Sequence, residues 1–250
     1  YDADIAVFDD LKNFNCAMVF KGGRLVAKEG KALFKTGEKY LPAEVKNTVH
    51  VGNVAPDDFK IKLKGSRANV IRLLKDNVVT EKVVREVESE NGDVKLCGTD
   101  LLKLAVVERH HGTGNIGLGL LEGYGLKNGA IALTIAHDSH NIIVLGDNNA
   151  DMAAAVAELK RIGGGMAIAE GGKTQSLPLD IAGLMSSLPA EEYIAQSEKL
   201  LEKAYSMGVS RDVEAFMSLS FLALLVIPSL KLSDRGLFDA DKFELCSIDA

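Results

Sequence analysis

Phe59, Ile61 and Leu63 alternate with Lys60, Lys62 and Lys64. In an extended chain that alternation puts the apolar side chains on one face, so 59–65 predicts a half-buried strand. "ANVIRLLKDNVVTEKVVREVES" (68–89) is rich in β-branched residues and extends the strand signal. Asn91-Gly92 predicts a hairpin turn, because both residue types accept positive φ. "DLLKLAVVER" (100–109) is almost continuously apolar until its charged end and predicts a buried strand. Two more apolar runs, "AIALTIAH" (130–137) and "NIIVLG" (141–146), flank a short polar interruption and predict a strand, a turn and a strand. "MAIAEGGK" (166–173) predicts another strand and turn.

Near the start, Ile5 and Val7 mark one strand. "MVFKGGRLV" (18–26) marks a hairpin turning at Gly22-Gly23. Residues 36–58 are polar, contain Pro42 and Pro56, and read as a linker. Two segments carry helical spacing. Met152, Val156 and Leu159 share one face of a helix over Asp147–Arg161, capped by Asn148 or Asn149 and stopped by Gly163-Gly164-Gly165. A second helix begins near Pro189, carries Ile194, Leu201 and Ala204, and ends at Gly208. The apolar run Phe221–Ile227 fits helix or strand and is broken by Pro228. Seven glycines between 112 and 129 would each cost a helix roughly 1 kcal/mol, so that stretch predicts turn and loop with at most a short helix. Strands outnumber helices and come as hairpins. The expected fold class is α+β: a short β unit over 1–58, linker included, then over 59–250 a mainly antiparallel sheet flanked by helices, placed here on one face.

The chain has 250 residues, 47% hydrophobic and 26% charged, as in ordinary globular proteins. Its net charge of −6 disfavours a general nucleic-acid or anionic-membrane binder. The longest apolar run is far too short to span a bilayer. Cys16, Cys97 and Cys246 are widely separated, which suggests a reducing compartment and neither a disulfide framework nor a zinc knuckle. There is no initiator Met, and the chain opens at Tyr1 into the strand-like "DADIAVFDD". This predicts a processed chain or a fragment.

Four stretches could carry chemistry. Gly112-Thr113-Gly114-Asn115-Ile116-Gly117 is formally G-x-G-x-x-G, but a dinucleotide site needs a helix opening at the third glycine, and more glycines follow. A tight-turning loop explains it better. Glu108, Arg109 and His110 stand where a buried strand emerges beside that loop. They could line a cleft, or be a solvated strand end. His137, Asp138, His140 and Asn141 sit at the expected hairpin tip. Asp138-Ser139 suits a turn, while two histidines can move protons or bind a metal. No further ligand pair supports structural zinc. "SLPLDIAGLMSS" (176–187) is either a buried connector or a pocket wall.

Taken together, several long motifs resemble one family. "ADIAVFDDL" and "MVFKGGRLVAKEGK" resemble the last strands of the small β-sandwich of metal-dependent amidohydrolases. "VVERHHGTGNIGLGLLEGYG", "ALTIAHDSHNIIVLGDNNADMAAAVAELKRIGGG", "LPLDIAGLMSS" and "VIPSLKLSDRGLFD" resemble the C-terminal domain of bacterial adenine deaminases. The resemblance covers essentially the whole chain. It implies a cytoplasmic, homo-oligomeric hydrolase of purine salvage that converts adenine and water to hypoxanthine and ammonia. It also implies a divalent metal, manganese or iron, in a TIM-like barrel with a His-x-His pair. A metal-bound hydroxide would attack the purine there while a protein base moves protons. The five histidines here, His50, His110, His111, His137 and His140, form no such pair, and a barrel needs roughly 200 residues of its own. The resemblance therefore implies a partner, a barrel-bearing N-terminal portion in the same precursor or a separate chain, without which this chain would be inactive. Glu108, Arg109, His110, His137, Asp138, His140 and Asn141 would then face the barrel's active site, and the main metal site is expected in the barrel. The competing expectations are a purely structural or oligomerisation domain, an independent nucleobase-binding module, and an amidohydrolase acting on another cyclic amidine or amide.

Overall fold

Gly22 and Gly23 both adopt positive φ, 54° and 74°, and close the first hairpin. In the computed structural model, which describes residues 1–250 apart from Thr36, Glu38, Lys39, Tyr40 and Cys97, this hairpin belongs to a four-stranded antiparallel sheet. Its strands β1 (Ile5–Phe8), β2 (Cys16–Lys21), β3 (Arg24–Lys28) and β4 (Lys31–Ala32) lie in sequence order. No described residue of 1–41 is buried. The chain divides into two compact units, Tyr1–Leu41 and Pro42–Ala250. Residues 42–58, polar enough to read as a linker, belong to the second unit, where Val51 is buried against a helix.

The second unit contains β5 (Arg67–Leu73), β6 (Thr80–Glu86), the short pair β7 (Ser89–Glu90) and β8 (Asp93–Val94), β9 (Leu102–Val107), β10 (Ile116–Glu122), β11 (Ala130–Leu133) and β12 (Ile142–Gly146). Helix α1 (Asn149–Ile162) is followed by β13 (Gly165–Glu170), β14 (Lys173–Pro178), α2 (Ala190–Ser206), α3 (Ala215–Ser220), β15 (Leu230–Ser233), β16 (Gly236–Asp239) and β17 (Glu244–Leu245). Eight strands form one sheet in the order β14-β13-β11-β12-β9-β10-β5-β6. Only the β5–β10 contact in it is parallel. The α+β class, with a mainly antiparallel sheet and flanking helices, is the architecture observed.

The helices are not confined to one face. On β11 and β13 one set of alternate residues is alanine: Ala130, Ala132, Ala167 and Ala169 pack with Met152, Val156 and Leu159 of α1. The other set is larger: Ile131, Leu133, Met166 and Ile168 pack with Leu200 and Ala204 of α2 and Phe216 of α3. A sheet apolar on both faces must be covered twice. Helix α1 is capped as expected, Asn148 accepting from Asp151 N at 2.8 Å, and Gly163 ends it at φ 76°. In α2 the buried residues are Leu200 and Ala204, whereas Ile194 is exposed.

Three segments differ from the sequence expectation. Residues 59–65 alternate in burial, with Phe59 and Ile61 inside, yet form no strand. Their amides are met by carboxylates instead: Ile61 N donates to Asp93 and Lys64 N to Asp249, at 2.9 and 2.7 Å. The run Phe221–Ile227 becomes a single 3-10 turn, Phe221–Ala223, after α3. The glycine-rich stretch contains a seven-residue strand, β10, instead of loop or helix. Its glycines are explained by what lies over them. A Cβ on Gly117 would sit 1.8 Å from Ser233 O, and one on Gly119 3.1 Å from Leu237 Cδ2. The small sheet β15-β16-β17 is laid directly on that face of β10. Glycine weakens a strand on entropic grounds but permits this approach of two backbones.

Gly117→Ala is expected to cost roughly 1–3 kcal/mol, because a backbone cannot yield to the new methyl. Gly119→Ala should cost less, since a flexible leucine faces it. Urea midpoints of the two variants test this, and a G117A midpoint equal to that of the unmodified chain would contradict the close approach.

Candidate functional site

Strand β12 runs antiparallel to both β11 and β9, with Ile142 opposite Val107. That register sets the β11–β12 tip beside the end of β9, so the two separate polar groups of the sequence become one corner. The tip is a turn at His137-Asp138-Ser139, with Asp138 and Ser139 exposed. Arg109 N donates to Asn141 Oδ1 at 3.3 Å across the join.

Arg109 is 1% exposed. Its Nε donates to His140 O, its Nη2 to Ala182 O at 3.2 Å and its Nη1 to Thr48 O at 3.4 Å. No carboxylate lies within ion-pair distance of it among the described residues. Burial lowers its pKa, partly offset by the charge of Glu108. Gly183, at φ 69°, leaves room for the guanidinium: a Cβ there would be 3.1 Å from Arg109 Nη1. Thr134 Oγ1 donates to Gly183 O at 2.5 Å and accepts from Gly165 N at 2.8 Å, which holds this wall to the sheet. Part of "SLPLDIAGLMSS" is thus the wall of the Arg109 cage.

Glu108 faces the other way. Its carboxylate accepts from the amides of His110, His111 and Thr113 at 2.5, 2.9 and 3.0 Å and from the Thr113 hydroxyl at 3.1 Å. Burial raises its pKa, but the bonds from Thr113, His111 and His110 outweigh it and hold the group at about 2. Gly112 and Gly114 take positive φ in this loop, which leads into a strand, so the helix required by a dinucleotide fingerprint is absent.

The histidines are arranged around the turn. His110 Nε2 lies 2.7 Å from Ser139 O, which requires that nitrogen to carry the proton and donate. His137 N donates to Ser220 O at 3.1 Å, and its ring lies between His140 and Phe221, at centroid distances of 5.4 and 5.0 Å. His140 Nδ1 is buried with no partner among the described residues. Burial, then the neighbouring His137 and Arg109, lower the His140 pKa, so its ring is neutral near pH 7. Among the described residues no group of three or more His, Cys, Asp or Glu side chains could hold a metal ion. The resemblance places its divalent ion in the barrel-bearing portion, and the corner of this chain brings two imidazole rings, His137 and His140, side by side. His50 and His111 lie outside this group, although His50 N donates to Arg109 O at 2.7 Å.

Thr48 and Thr134 complete the corner without being singled out by the sequence, while Ala182 and Gly183 belong to the stretch 176–187, which reads there as a connector or pocket wall. Three of the groups they offer, the carbonyls of Thr48, Ala182 and Gly183, are backbone atoms that every residue possesses. Cys97 lies outside the described residues. Among the described residues no helix is long and apolar enough to cross a membrane.

Comparison with known proteins gives a consistent picture. The adenine deaminase C-terminal domain family matches residues 77–244. The chain is 48% identical to adenine deaminase 2 of Carboxydothermus hydrogenoformans over 250 residues, 99% of this chain and 44% of that protein. It is 46% identical to an adenine deaminase of Nitratidesulfovibrio vulgaris and 42% identical to one of Clostridium acetobutylicum, over 98% of this chain and 43% of each relative. The chain thus spans less than half the length of these curated relatives.

Glu108 has its pKa lowered on folding, so it adds stability above its ordinary pKa of 4.5 that is lost as pH falls towards 2. Glu108→Gln is expected to destabilise the chain by roughly 2–3 kcal/mol at pH 7 and to flatten the acid limb of the stability curve. Urea unfolding at pH 7, 4.5 and 3 measures both; an unchanged slope between pH 4.5 and 3 would contradict this assignment.

Proposed function

Because the chain belongs to the adenine deaminase family, as its C-terminal domain, we propose that it serves the hydrolysis of adenine to hypoxanthine and ammonia, at an active site completed by a barrel-bearing N-terminal portion. The observation that carries this reading is the division of labour at the corner. Glu108 and Arg109 spend their polar atoms on the loop and the turn, so they position. His137, Asp138 and His140 remain at the tip with side chains that make no hydrogen bond among the described residues, the buried Nδ1 of His140 included. A histidine pair in which burial favours the neutral form of His140 can accept a proton and pass it on, and a closed turn can exclude water from the substrate. The resemblance assigns a divalent ion, manganese or iron, to the other portion, where it would activate water; this chain contributes proton handling and cover.

The need for a partner has its own support. The sheet β1–β4 buries none of its residues and exposes Ile5, Phe8 and Leu25. Apolar strands without cover are an interaction surface, and the longer relatives have more than half their length outside the matched region. On this reading the chain is inactive alone, and the assembled enzyme is a cytoplasmic homo-oligomer of purine salvage. A second reading, a purely structural domain, draws on the full engagement of Glu108 and Arg109 in holding the fold.

His137→Ala and His140→Ala separate the two. In the assembled enzyme kcat/KM for adenine is expected to fall by roughly 100-fold or more, with metal content unchanged. Unchanged kcat/KM with altered stability or assembly would favour the structural reading.

A further inference from the structure

The ends of β11 and β13 and the helices α2 and α3 border an open cleft of about 380 Å³. That size falls among small-molecule sites. Leu133, Ile135, Met166 and Leu201 line it with apolar surface, and Phe216 adds an aromatic ring. Such walls suit a flat, weakly polar body.

The polar lining narrows the choice. Glu198 and Glu214 both border the cleft. Glu198 has no hydrogen bond or ion pair among the described residues, and Glu214, which accepts from Met217 N to cap α3, has no cationic partner there. Two carboxylates without cations invite N–H donors and repel any anionic ligand. His137, also in the lining, packs its ring against His140 and Phe221 and has ring nitrogens with no hydrogen-bond partner among the described residues. A ligand here would touch the candidate site directly, since the His137 amide is bonded to the carbonyl of Ser220, another residue of the cleft.

We propose that this cleft binds an uncharged free purine base, adenine or its hydrolysis product, and rejects nucleotides. The choice of a purine among flat N–H donors rests on the function proposed above; the cleft, its acidic edge and its link to His137 do not. It would hold base next to the histidine turn, so that substrate entry or product departure passes residues of this chain.

The test is a titration of the 250-residue chain with adenine, hypoxanthine and adenosine monophosphate, followed by amide chemical shifts. Saturable shifts at Ser197, Ser220 and His137 are expected with both bases. The nucleotide should bind about tenfold more weakly or worse, because its phosphate meets the carboxylates. Leu201→Trp, which fills the cleft, should weaken adenine by a similar factor. Glu198→Lys, on the exposed side of α2, should narrow the gap between nucleotide and base. Shifts confined to other parts of the chain, nucleotide binding as tight as adenine's, or Glu198→Lys leaving the gap unchanged would overturn the proposal. If the assembled enzyme deaminates adenine while these amides ignore it, the cleft proposal fails and the functional reading stands. If the amides respond and the assembled enzyme leaves adenine intact, the reverse holds.

Discussion

A guanidinium removed from water must have its N–H groups met, and among the described residues Arg109 meets them without a carboxylate. Carbonyls from Thr48, His140 and Ala182 supply the acceptors. They come from the segment before the sheet, the β11–β12 tip and the connector after β14, none adjacent in sequence. Losing any one would leave part of a buried cation unsatisfied, which is costly. The three segments are therefore held in one arrangement by the demand of one side chain. Gly183 and Thr134 follow from the same demand: the first makes room for the ion, the second fixes the wall that carries it.

This constraint also sets the electrostatics of the histidine turn. Arg109 is bonded to the carbonyl of His140 and bears a fixed positive charge beside its ring. Together with burial and His137 it favours the neutral imidazole. Glu108, just past the end of β9, is turned towards the loop and bound to four donors there; the carboxylate that partly offsets the lowering at His140 is Asp138. Alternate side-chain directions at a strand end let one charged residue build the turn and its neighbour build the loop.

The sheet beneath the corner depends on a different economy of size. Alanines on one face of β11 and β13 admit α1 closely, larger aliphatics on the other meet α2 and α3, and Gly117 and Gly119 admit a second sheet over β10. Much of this was legible. The Gly22-Gly23 and Asn91-Gly92 turns, the buried strand through Val107, the hairpin around Asp138 and both ends of α1 follow from local chemistry and stand in the structure. The β10 strand was not legible, because local propensity counts what glycine costs and not which backbone will lie on it. Residues 59–65 had the right alternation and no strand, because alternation reports which side is buried and not whether a neighbouring strand supplies hydrogen bonds.

For the candidate site the division is the same. By itself the sequence determined the residue types, their place at the ends of apolar strands and the turn between His137 and His140, since these depend on period, turn preference and burial within a few neighbours. It also carried enough long motifs to place the chain in its family. The tertiary structure alone decided that Glu108 and Arg109 build while the side chains of His137, Asp138 and His140 make no hydrogen bond among the described residues. That outcome depends on carbonyls at Thr48, His140 and Ala182 meeting in space, and backbone oxygens leave no trace in the identity of the residues that carry them.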